Sequence, residues 1–169
     1  INFIPGPAAD ISDAVLSGAE EAITDSRADL VVTTRVPPGF LGDFLMDVSF
    51  VAVAHPTHAL FGVGHPLTTD DLARHVQVVV RDSGVKQPRD EGWLGAERRC
   101  TVSSVEASLA TIRAGLAFAW LPEHVVAESL RRGELGALPL AAGGSRSISL
   151  HLVLVRPELA GPAARAAVE

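Results

Sequence analysis

Three strand ends in the sequence carry residues able to do chemistry. In "CTVSSVEASLATIRAGLAFAWLPEH" (100–124), Ser103 and Ser104 stand between a strand end and an amphipathic helix. Ser103 with Glu106 spells S-x-x-E, in which the hydroxyl accepts from free helical N–H groups and the glutamate reaches back. On that reading Ser103 is the cap and Ser104 is incidental, and the pattern is accounted for. The functional alternative uses the same groups, because a helix N-terminus with exposed amides and hydroxyls receives a carboxylate well. In "VVVRDSG" (78–84), Arg81 and Asp82 follow an apolar run. Ligands of open α/β sheets collect at the carboxyl ends of strands, so Arg81 could meet an anion there. The bland alternative is an Arg81–Asp82 surface pair with no role. Thr33, Thr34 and Arg35 hold the equivalent place after "ADLVV", where ordinary strand-end polarity explains them equally well.

Other constellations fall short. His55, His58 and His65 lie close together, but in a Pro-rich connection with no carboxylate or thiolate at ligand spacing. His55–Pro56 and His65–Pro66 read as turns, so no metal site is expected. "GGSRS" (143–147) is not a G-x-S-x-G elbow, and no serine has a His and Asp arranged around it. Neither G-x-G-x-x-G nor a phosphate-binding G-x-x-x-x-G-K-[ST] occurs. The expectation is therefore no catalytic residue and no cofactor.

The elements that must position these groups follow an α/β pattern. Apolar, β-branched runs predict strands at 28–34, 44–55, 76–80, 116–121 and 147–155. Helices are expected at 17–26, at 68–75 with Thr68 and Asp71 in the first turn, at 103–114 ending on Gly115, and at 122–133 closing on Arg131, Arg132 and Gly133. The tail "GPAARAAVE" reads as a final helix. Connections 35–43 and 82–98 are long and rich in Gly and Pro, a feature of functional or mobile loops.

Composition bounds the role. With 169 residues, 47% of them hydrophobic, the chain can bury a core as one domain or two small lobes. No apolar run reaches the roughly 18 residues that cross a bilayer, so no membrane partner is expected. The net charge of −6 excludes the basic face on which DNA-binding domains rely. Cys100, the one cysteine, excludes an internal disulfide. "INFIPGPAAD" lacks the basic start and apolar stretch of a secretory leader, so a cytoplasmic location is expected. A chain that opens on Ile1 is expected to be a fragment or a processed product.

In order and wording these segments resemble the effector-binding domain of LysR-type transcriptional regulators. "LSGAEEAITDSRADLVVTT" is similar to the family's helix and following strand. "VSFVAVAHPTHALFGVGHPLTTDDLARHVQVVVRDSG" is similar to its antiparallel strand, His-containing turn, short helix and next strand. "TVSSVEASLATIRAGLAFAWLPEHVVAESLRRGELGALPL" is the most specific piece, with its polar strand end, helix, "AGL" turn and strand closing on Leu-Pro. "SLHLVLVRPELAGPAARAAV" resembles the closing strand and helix.

The resemblance implies two Rossmann-like α/β lobes joined by two crossovers, the type II periplasmic-binding-protein-like architecture. Lobe I would hold 1–60 plus 150–169, without its first strand and most of its first helix, and lobe II would hold 61–149. It implies a small polar or anionic effector, a carboxylate being one candidate, bound between the lobes. Val102, Ser103 and Ser104 would then face Thr33 and Thr34, with Arg81 as the anion partner and Asp82 beside it. It further implies self-association as a dimer or tetramer, and DNA binding only through an N-terminal winged helix-turn-helix that this sequence lacks. Two alternatives stay open on the residues: a solute-binding protein of a transporter, and an α/β enzyme using Asp82 or Glu106.

Overall fold

The computed structural model describes residues 22–25, 28–80 and 96–162. The most apolar stretch, "FAWLP", forms β5 (Phe118–Pro122), every residue of which is buried. It lies between β2 (Gly42–Ala54), with which it pairs antiparallel from Phe50↔Pro122 to Ala54↔Phe118, and β3 (Val76–Val80), with which it runs parallel. On the far side of β3 lies β4 (Arg98–Val102), also parallel. The short β6 (Gly136–Ala137) adds to β2.

Alternation along these strands divides their side chains between two faces. Ala52, Ala54, Phe118 and Trp120 pack with Leu60, Leu67, Leu72 and Leu138, beneath a 3-10 turn (Ala59–Gly62) and α1 (Thr69–Ala73). Val53, Ala119 and Leu121 pack with Val78, Val105, Ile112 and Val126, beneath α2 (Val105–Arg113) and α3 (Glu123–Arg131). A sheet so covered reads as continuous apolar runs, which is why β3 and β5 are plain in the sequence. The C-terminal half of α2 is tied to α3 by Arg113 Nη2, which donates to Ser129 Oγ at 2.8 Å, while Ser129 Oγ donates to Glu134 at 3.1 Å.

The chain divides into two compact units. Unit 2, described above, comprises Val48–Arg81 and Asp90–Ser147; unit 1 comprises Ile1–Asp47, Asp82–Arg89 and Ile148–Glu169. In unit 1, β1 (Leu30–Thr33) pairs antiparallel with β7 (Ser145–Leu154), from Leu30↔Leu154 to Thr33↔His151, and β7 neighbours β2. Its core gathers Ile23, Val31, Val153 and Val155. Two division points, after Asp47 and after Ser147, fall inside β2 and β7, whereas the sequence placed the lobe boundaries after 60 and after 149. A strand that passes from one unit into the other keeps its backbone pattern, so no turn residue marks the crossing. Residues 22–24 are helical and 25 is a turn, within the helix expected at 17–26; residues 17–21 and 26 and most of the tail lie outside the described residues.

Candidate functional site

The carboxyl ends of β3 and β4 lie side by side, because the parallel register runs from Val76↔Arg98 to Val80↔Val102. The chain leaves β4 at half-buried Val102, passes exposed Ser103, and enters α2. Arg81 and Asp82 follow Val80 in the sequence and lie outside the described residues.

The cap of α2 is Ser104 and not Ser103, which corrects the expected assignment. Ser104 has extended dihedrals, φ −154° and ψ 163°, and its Oγ accepts from Ala107 N at 3.2 Å. Its carbonyl accepts the first helical bond, from Ser108 N at 3.1 Å. Moving the cap by one residue puts Glu106 at the second helical position, one short of the place a capping box requires. Glu106 binds instead to its own backbone N–H and to the Ser104 hydroxyl, and these two contacts, in that order, hold its carboxyl below its ordinary 4.5. The start of α2 thus already carries a carboxylate. Ser103, freed from capping, offers an exposed hydroxyl beside the strand ends.

In unit 1 the other hydroxyl pair is arranged differently. Thr33 is buried, and its Oγ1 donates to Arg35 O at 2.9 Å and accepts from Arg35 N at 3.2 Å. That hydroxyl is consumed by the turn leaving β1. Thr34 comes next, half-buried. The structure therefore brings Val102, Ser103 and Ser104 together in unit 2, and Thr33 and Thr34 in unit 1.

The histidines have local roles. His55 Nδ1 meets Thr57 Oγ1 at 2.8 Å, and His65 Nδ1 meets Pro66 O at 3.0 Å. His58 Nδ1 accepts from Leu60 N at 3.2 Å and so caps the 3-10 turn. The sequence reading missed that capping role and the ring of His75 beside His58, 5.0 Å between centroids. The signal was a His two residues before a buried Leu, in a connection read only as turns. Among the described residues no three His, Cys, Asp or Glu gather where they could hold a metal ion.

A family model described as LysR substrate binding domain matches residues 4–169. Among solved structures, ArgP from Mycobacterium tuberculosis is 17% identical with a TM-score of 0.65, over 91% of this chain and 51% of that one. The regulatory domain of NMB2055 (MetR), a LysR family regulator from N. meningitidis, is 17% identical with a TM-score of 0.66, over 88% of this chain and 70% of that one. Full-length LysG from Corynebacterium glutamicum, solved with bound effector Arg, is 22% identical with a TM-score of 0.62, over 85% and 50%. Likeness at these identities establishes the fold: α/β of the type II periplasmic-binding-protein-like class, as the resemblance implied. This chain spans about half the length of ArgP and LysG. Comparison with curated protein sequences gives no match.

Proposed function

Because the chain belongs to the LysR substrate-binding domain family, we propose that it is the effector-sensing part of a LysR-type transcriptional regulator and not an enzyme. The observation that supports a site in unit 2 is the pairing of the β3 and β4 carboxyl ends beside the exposed Ser103 hydroxyl at the start of α2. There the effector is a small polar metabolite. A carboxylate on it would take the Ser103 hydroxyl and Arg81, because charge-assisted bonds to a guanidinium are among the strong ones. The Glu106 carboxylate at the same helix start favours a ligand that also carries an ammonium group, as an amino acid does. LysG, with its bound Arg, is a relative that takes such a ligand.

In unit 1 Thr33 spends its hydroxyl on Arg35, which leaves half-buried Thr34 as that pair's candidate for the effector, and Asp82 lies beside Arg81 in the sequence. Ligand binding shifts the population between arrangements of a self-associated protein, and DNA-binding segments of the longer regulator read the shift. The protein works in the cytoplasm; among the described residues, no helix is long and apolar enough to cross a membrane.

The test is calorimetric titration with the common amino acids and with small dicarboxylates. For the ligand that binds, Ser103→Ala and Arg81→Ala should each weaken affinity about tenfold or more, the worth of one charge-assisted hydrogen bond. Unchanged affinity in both variants would remove this site.

A further inference from the structure

The turn after β2 is held closed by an imidazole. His58 is 7% exposed, and its Nδ1 accepts the Leu60 N–H that starts the 3-10 turn. An accepting Nδ1 fixes the neutral tautomer, with its proton on Nε2. A second proton has only Nδ1 to occupy, where it would face the Leu60 N–H donor against donor. The His75 ring, reached just beyond α1, stands 5.0 Å away and tilted by 57°. Two imidazolium ions at that separation repel one another.

The other titratable and charged groups on the flanking segments are engaged elsewhere or outlying. His55 is bound to Thr57, His65 meets Pro66 O and lies 3.9 Å from Asp71, and Asp71 is held by Thr68. Asp70 and Arg74 lie in and at the end of α1, and Glu97 comes later, toward β4. Burial first, and His75 second, keep the His58 imidazole below its ordinary 6.5.

The turn secures part of the unit 2 core. Leu60 is 1% exposed among Leu67, Leu72, Phe118, Trp120 and Leu138. Phe61 covers Gly136 of β6 so closely that a Cβ there would lie 2.6 Å from the ring.

We propose that His58 and His75 form a proton-operated latch, in which protonation of His58 removes the acceptor that caps the turn and releases Leu60 from the unit 2 core. The direction is set by linkage. The opened turn takes up protons more readily than the closed one, so closure is complete above pH 6.5 and weakens as pH falls below it. Acidification would thereby loosen one face of unit 2 while the face under α2 and α3 stays packed.

The test is amide hydrogen exchange by NMR on the whole chain, with EDTA present, expressed as protection factors at pH 7.5 and 5.0. Leu60 should lose protection severalfold relative to Val78, because the opened turn takes up the second proton that the closed one resists. His58→Asn keeps an acceptor at the capping position and cannot titrate, so its Leu60 protection should stay level. If that variant does not fold, His75→Gln decides, because removing the repulsion should shrink the loss. Unchanged Leu60 protection in the wild type, or an equal loss in either variant, would overturn the latch.

Discussion

Two strand ends carry neighbouring hydroxyls, and they do opposite things with them. At the end of β1, Thr33 is buried and spends its hydroxyl on both backbone groups of Arg35. At the end of β4, Ser104 spends its hydroxyl on the α2 cap and leaves Ser103 exposed. The next element along the chain makes the difference. β1 leads into a connection that must close a turn on itself, whereas β4 leads at once into a helix whose first N–H groups need acceptors. A hydroxyl pair at a strand end becomes a candidate ligand contact only when the next element consumes one member and spares the other.

That contrast can be broken by substitution. Thr33→Ala removes two hydrogen bonds and a buried methyl, and should cost about 2 kcal/mol, lowering the thermal midpoint by roughly 4–8 °C in a chain of this size. Ser104→Ala should cost about 1 kcal/mol, the usual worth of a cap. The same change should raise the Glu106 carboxyl toward 4.5, which an NMR titration of its side chain would show. Ser103→Ala should alter stability by less than about 0.5 kcal/mol. A cost at Ser103 matching that at Ser104 would mean that the helix uses both serines and that neither is spared.

Acid sharpens the comparison further. Glu106 is held below 4.5, so its contribution is present above that pH and is lost as pH falls through its folded value. Asp71 at α1 behaves in the same sense, held below 3.8 first by the Thr68 N–H and then by the Thr68 hydroxyl. Melting profiles between pH 6 and pH 3 should therefore show a shallower acid loss for Glu106→Gln than for the wild type. An identical slope would place the Glu106 carboxylate away from the helix start.

Much of this was legible in the residues. β3, β5, α2 and α3 lie within about two residues of their expected bounds, because β-branched runs and Gly115 and Gly133 punctuate them. Thr68 and Asp71, expected only in the first turn of the 68–75 helix, form a full capping box. The cap of α2 was off by one because consecutive serines satisfy the same local pattern in two registers, and only backbone dihedrals choose between them. β6 is two residues long, too short for any periodicity, and exists because Val53 and Ala54 give it partners. The first half of β2 misled in another way. Phe44, Leu45 and Met46 open the strand expected at 44–55 as an apolar run, yet all three are exposed. An apolar strand shows that burial is wanted without naming what supplies it.

A ligand site at the end of β4 is tested most directly by an amide NMR titration of the whole chain, using whichever amino acid or small dicarboxylate raises its melting temperature. The largest shifts should fall on Ser103, Ser104 and Val105, and Ser103→Ala should suppress them. Shifts centred elsewhere, or shifts that survive Ser103→Ala unchanged, would contradict a site there.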